Sequence, residues 1–297
     1  MTIKKVGVIG CGLMGHGIVQ VAANAGFDVV ALESAQDALD KGLGRVHKSL
    51  EKLASKAVEK GKQSEDEAKA SVEAAKGRIR GSLDKQDLAD CDLVVEAIVE
   101  DLEIKNALFA ELGKLCKPET ILASNTSSFP IGEMAAASGR PERVVGLHFF
   151  NPVQLMRLVE VVRTDKTDDE VFAAAKAFGE GVGKTAVSCK DTPGFVVNRL
   201  LVPYMSQALL MLDRGDATKE DIDAAMQLGC GYPMGPLTLT DYVGLDTTLM
   251  ILEGWTERYP DEPAFVIPKI LERKVAEGKL GRKSGEGFYK WDGDKKQ

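Results

Sequence analysis

The sequence predicts an α/β fold, a doubly wound and mainly parallel sheet with a helical-hairpin insertion, followed by an all-α C-terminal domain. Three observations carry that reading. A glycine-rich turn joins an apolar run to an amphipathic pattern at the N-terminus, apolar runs alternate with helical patterns as far as residue 187, and helical periodicity takes over beyond residue 191. A chain of 297 residues is long enough for two domains, each with its own core.

Val6-Gly7-Val8-Ile9-Gly10 reads as a strand ending in glycine, and Ile18, Val19, Val21, Ala22 and Ala25 then recur at helical spacing. Gly26 closes that helix, and Phe27 to Leu32 reads as a second buried strand ending at Glu33. Residues 35 to 77 are rich in Ala, Lys and Glu, which predicts two long helices turning near Gly61. Such an insertion projects from a doubly wound sheet, and its lysines suggest a cationic surface on an acidic protein, although composition alone favours a solvated helical face. Further strands are expected at Ile79 to Gly81, Leu93 to Ala97, Ile121 to Asn125 and Val144 to Phe149, with Leu158 to Val162 and Lys184 to Val187 at one edge. Helices are expected over Phe195 to Leu212, Lys219 to Leu228, Leu237 to Leu252 and Ile267 to Ala276. The domains are accordingly placed at 1–191 and 192–297.

Composition narrows the function classes. Hydrophobic residues at 44% and charged residues at 28% describe an ordinary globular chain, and a net charge of −7 gives no general electrostatic footprint for nucleic acid. Cys11, Cys91, Cys116, Cys189 and Cys230 are scattered without metal-ligand spacing, so no metal site is expected and reduced thiols in a cytoplasmic protein fit best. The N-terminus enters a strand at once, and no window approaches the ~20 apolar residues that a bilayer requires, so no membrane association is expected.

Gly10-Cys11-Gly12-Leu13-Met14-Gly15 matches G-x-G-x-x-G, a weak string made specific by the strand before it and the helix after it. Gly10 can make the tight turn, Gly12 can let the backbone approach a pyrophosphate, and Gly15 can allow close helix packing. Glu33, at the end of the second strand, can accept hydrogen bonds from both ribose hydroxyls and would repel a 2′-phosphate. The domain is thus of Rossmann type, and the cofactor expected is NAD.

Of three histidines, His16 lies in the glycine-rich helix start and His47 in the Lys-rich helix. His148 ends an apolar strand, where parallel sheets open onto a ligand crevice; taken alone it reads equally as a satisfied core residue and as a base. Glu160 sits among apolar neighbours in Leu158-Val159-Glu160-Val161-Val162 and needs a partner. Pairing it with His148 would fix the imidazole tautomer and stabilise an imidazolium. Ser124 to Ser128 follows a strand and reads as crevice hydroxyls or as a turn. Asn198 reads as a substrate-facing amide or as a helix-packing one.

Together these residues resemble the L-3-hydroxyacyl-CoA dehydrogenase family, in particular its short-chain members acting on 3-hydroxybutyryl-CoA. The resemblance runs over nearly the whole chain, through Val94 to Glu100, Ala123 to Ser128, His148 to Val153, Asp191 to Arg199, Gly231 to Pro236 and Gly285 to Tyr289. It implies that His148 is the general base with Glu160 as its partner, and that Ser127 and Asn198 hydrogen-bond the substrate's 3-oxygen and its surroundings. It further implies that Glu33, Ala97, Glu100, Lys105, Ser127, Asn151 and Lys283 contact NAD. Ser49 and Lys56 would contact coenzyme A, with Ser127 and Asn151 also at the thioester substrate; the insertion is then a phosphate-binding surface. Glu33 stands where aspartate is common in the family. The implied partners are an acyl-CoA thioester entering a cleft between domains and a second copy of the chain, joined through the apolar stretches of the C-terminal domain. A dehydrogenase for a CoA-free 3-hydroxy acid would not need the Lys-bearing insertion, and a non-catalytic relative would not need Ser127, His148, Glu160 and Asn198 together.

Overall fold

The structure, a computed structural model, describes residues 2–297. The chain divides into two compact units, one running to Phe195 and the other from Val196 to Gln297.

The first unit opens with β1 (Lys5–Ile9), α1 (Gly15–Asn24) and β2 (Asp28–Leu32), the βαβ element expected from the sequence. The insertion follows as α2 (Gln36–Glu59) and α3 (Glu65–Gly77). Gly61, at φ +65°, lies in the turn between them, and a Ser64–Glu67 capping box starts α3. Leu39, Val46 and Leu50 of α2 and Val72 and Ala75 of α3 share a core with α1, whereas most residues from 51 to 67 are exposed or half-buried. The hairpin is therefore rooted in the core at one end only.

After β3 (Ile79–Ser82) come β4 (Leu93–Glu96), α4 (Leu102–Leu115), β5 (Ile121–Ser124), α5 (Ile131–Ala137), β6 (Val144–Phe149), β7 (Leu158–Arg163), α6 (Asp169–Gly181) and β8 (Thr185–Lys190). The sheet order is β3-β2-β1-β4-β5-β6-β7-β8. All pairings are parallel except β6 with β7. Alternation divides the strand side chains between two cores, as in Val6 and Val8 against Ile9, and Leu93 and Val95 against Val94. Burial on both faces is why these strands read as continuous apolar runs. β1 lies between β2 and β4, so the chain reverses its direction of winding beside it and opens a crevice at the carboxyl ends of the strands.

The second unit contains α7 (Val197–Arg214), α8 (Lys219–Cys230), α9 (Pro236–Val243), α10 (Leu245–Arg258) and α11 (Lys269–Ala276). The single helix expected over Leu237 to Leu252 is two helices. Gly244 breaks it at φ +107° and ψ 128°, a conformation that side-chain-bearing residues rarely adopt. The unit also ends in a short hairpin, β9 (Trp291–Asp292) and β10 (Lys295–Lys296), which helical periodicity could not show. The buried Asp241 carboxylate holds it by accepting bonds from Phe288 N, Tyr289 N and Trp291 Nε1 at 2.7, 2.8 and 2.8 Å. Among the described residues no helix is long and apolar enough to cross a membrane.

Candidate functional site

The glycine loop between β1 and α1 has the geometry of a phosphate cradle. Gly10 adopts φ +88°, and a Cβ there would strike the Ala97 carbonyl; a Cβ on Gly15 would strike the carbonyl of Gly10. Both glycines are required by close backbone approach. A Cβ on Gly12 would meet nothing within 4 Å, so its backbone is open to a ligand. Met14 precedes α1 and no side chain caps that helix, leaving its N-terminal dipole available to an anion. Leu13 is exposed beside them. Glu33 Oε1 accepts a 2.6 Å hydrogen bond from Cys11 N, which ties the end of β2 to the loop. Burial, followed by the Glu33 charge, pushes the Cys11 thiol up to about 12, so it adds no negative charge to the cradle. These features fit the pyrophosphate and ribose of NAD.

A second cluster lies beyond β4. Glu96 is fully buried and accepts from Lys105 Nζ at 2.6 Å, Ser124 Oγ at 2.6 Å and Ile98 N at 2.8 Å. Lys105 also reaches Glu100 at 3.1 Å. Glu100 in turn accepts from Thr126 Oγ1 at 2.5 Å, Ser127 N at 3.1 Å and Ser128 Oγ at 3.2 Å. Burial alone would raise the Glu100 pKa. The Lys105 charge and these hydrogen bonds outweigh it and hold the carboxyl below its usual range. Lys105 is only 1% exposed, so its ammonium is enclosed between Glu96 and Glu100.

His148 and Glu160 face each other across the antiparallel β6–β7 pair. Nδ1 lies 2.6 Å from Glu160 Oε2, and both residues are buried. A carboxylate can only accept, so Nδ1 carries a proton and Nε2 is left as the basic nitrogen. The loop after β5 is fastened to the same strand end, because Asn125 Oδ1 accepts from Phe149 N at 2.9 Å. Asn151 is exposed just beyond β6. Its loop is held by the buried Lys184, which donates to the carbonyls of Val153 and Met156, and by a 3.0 Å bond from Gln154 Nε2 to Gln20 Oε1 of α1.

The structure thus gathers the glycine loop, Glu33 and Ala97 in one group, Glu100, Lys105 and Ser127 in another, and His148 with Glu160 in a third. Ser49 and Lys56 lie two turns apart on α2, on one face of the insertion. Asn198 is half-buried in the first turn of α7, and Lys283 forms a 2.6 Å ion pair with Asp246; both belong to the helical unit. Sequence reasoning did not single out Glu96, Asn125 or Lys184 as site residues. For Glu96 the signal was present, a lone acid closing the apolar run Leu93-Val94-Val95, as Glu160 is lone in its own strand.

Comparison with known proteins gives a consistent result. The profile of the 3-hydroxyacyl-CoA dehydrogenase NAD binding domain matches residues 5–192, and that of the 3-hydroxyacyl-CoA dehydrogenase C-terminal domain matches residues 194–291. The chain is 52% identical over 287 residues to a probable 3-hydroxybutyryl-CoA dehydrogenase of Deinococcus radiodurans, covering 97% of this chain and 100% of that protein. It is 50% identical over 290 residues to the mitochondrial hydroxyacyl-coenzyme A dehydrogenase of Homo sapiens, covering 97% and 91%. The crystal structure of (S)-3-hydroxybutyryl-CoA dehydrogenase from Ralstonia eutropha superposes with a TM-score of 0.91 at 38% identity, covering 98% of this chain and 100% of that one.

Proposed function

The chain belongs to the 3-hydroxyacyl-CoA dehydrogenase family, and from that premise we propose that it interconverts (S)-3-hydroxybutyryl-CoA and acetoacetyl-CoA, with His148 as general acid and base and Glu160 as its orienting partner. The 2.6 Å contact between His148 Nδ1 and Glu160 Oε2 carries the assignment of roles. NAD supplies the hydride acceptor when bound, and NADH the donor in the reverse direction. His148 Nε2 takes the proton of the substrate's 3-hydroxyl in oxidation and returns it in reduction. Glu160 keeps the ring in the required tautomer and stabilises the imidazolium between those events. Ser127 and Asn198 hydrogen-bond the 3-oxygen and its surroundings. Gly10, Gly12 and the start of α1 hold the pyrophosphate, Glu33 the adenosine ribose, and Glu100, Asn151 and Lys283 the remainder of the dinucleotide. Ser49 and Lys56 take the phosphorylated end of coenzyme A.

Steady-state reduction of acetoacetyl-CoA by NADH tests the proposal. His148→Gln is expected to lower kcat by ~100-fold or more with NADH affinity nearly unchanged, and Glu160→Gln by about 10- to 100-fold. Near-normal turnover of His148→Gln removes that residue from its role.

The proposal includes a homodimer through the helical unit, supported there by the exposed Leu200, Leu228, Tyr242 and Met250. A monomer mass in sedimentation refutes it. It also includes a cytoplasmic setting, supported by five free thiols, which cell fractionation tests.

A further inference from the structure

A single hydrogen bond holds one atom of a ring and leaves the ring free to pivot about it. His148 has further neighbours. The Phe150 ring lies 4.5 Å from the imidazole, centroid to centroid, at an interplanar angle of 50°, and the Phe195 ring lies at 5.6 Å and 58°. Phe150 follows the end of β6, but Phe195 arrives from the far end of the unit, in the turn after β8. Phe195 is also held at φ 55°, the one side-chain-bearing residue with positive φ among the described residues, and it is buried. A residue stays in that region only where its surroundings over-determine it.

Here they do. Asp191 N donates to Arg163 O at 3.0 Å, and the Asp191 carboxylate accepts from Ile131 N at 2.9 Å and Gly132 N at 2.8 Å. Phe195 N then closes the turn on Thr192 O at 2.9 Å, and its ring joins the core formed with Ile131 and Val162. The turn is thereby locked to β7 and to α5, the helix that follows the Ser127 loop.

We infer that Phe150 and Phe195 are positioning residues for the acid–base step, two rings that complete the fixing of the imidazole which Glu160 begins and that keep water from its sides. The inference rests on the assignment of His148 as acid and base. Tilted aromatic contacts of this kind are directional as well as apolar, and small displacements of a reacting group are costly in rate.

Phe150→Leu and Phe195→Leu, made in the full-length protein and checked for folding by circular dichroism, test it with acetoacetyl-CoA and NADH. Each is expected to lower kcat by about tenfold with KM for NADH changed less than about twofold, while Phe195→Tyr, which keeps the ring, stays near wild type. Proton NMR adds a readout that general stability does not move. With three histidines in the chain, the spectrum of His148→Gln assigns the His148 Hε1 line, and loss of either ring should shift it. Folded leucine variants with wild-type kcat overturn the inference whatever the Hε1 line does, even where His148→Gln is inactive. Active His148→Gln overturns the acid–base assignment itself. If Phe195→Leu does not fold, Phe150→Leu decides, since that side chain is only half-buried.

Discussion

Glu33 braces the glycine turn from the neighbouring strand: its Oε1 accepts a 2.6 Å hydrogen bond from the backbone N–H of Cys11. The carboxylate proposed to read the adenosine ribose therefore also sets the position of the loop that faces the pyrophosphate. Under that proposal, loop shape and cofactor choice are coupled through one side chain. Glu33→Ala removes both contributions, each a charge-assisted hydrogen bond of roughly 1.5–3 kcal/mol. KM for NADH is expected to rise by about tenfold or more, and preference for NADH over NADPH to fall by a similar factor, measured with both cofactors at fixed acetoacetyl-CoA. An unchanged ratio would show that Glu33 only shapes the loop.

Lys105 pairs with two carboxylates, and its pair with Glu96 is closed to solvent on both sides. Removing one member of a buried pair leaves an uncompensated charge, at a cost of about 3–5 kcal/mol. Lys105→Met should lose that much stability in urea unfolding, and Lys105→Met combined with Glu96→Gln should recover part of it. A loss below about 1 kcal/mol would mean that water reaches Glu96.

Glu100 gives the same network a pH dependence. Its carboxyl is held below the usual range in the folded protein, so the unfolded chain binds the proton more readily. The stability this contributes is present above the unfolded value of about 4.3 and is lost as pH falls through the lower folded one. Melting temperatures taken from pH 6 down to pH 3 should fall less steeply in Glu100→Gln than in the wild type. Parallel acid limbs would locate the acid sensitivity elsewhere.

Lys56 tests the insertion. Lys56→Glu reverses a charge on an exposed part of α2 and should raise KM for acetoacetyl-CoA by about tenfold, leaving KM for NADH unaltered. The effect should shrink with the dephospho-CoA thioester, which lacks the 3′-phosphate. Equal KM values in variant and wild type would return this face to simple solvation.

Elements whose signal is local were legible in the chain itself. The βαβ unit, the two insertion helices and the order of the main strands and helices follow from continuous apolar runs, from spacing of three to four residues and from glycines whose φ no other residue accepts cheaply. The helix over Leu237 to Leu252 was misread for the complementary reason. Apolar spacing survives a one-residue break, and Gly244 carries no side chain to interrupt the pattern.

The candidate site divides along the same line. Residue types and their places, at strand ends for the glycine loop, Glu33 and His148 and within an apolar strand for Glu160, were determined by the sequence. Contacts between distant segments were decided by tertiary structure alone: the Cys11–Glu33 bond, the Glu96–Lys105–Glu100 chain, and the return of Phe195 to the imidazole after 46 intervening positions. The two compact units divide after Phe195, whose ring is buried in the core of the first. Periodicity records which face of an element is buried. It does not record which neighbour buries it, and the chemistry of this site depends on those neighbours.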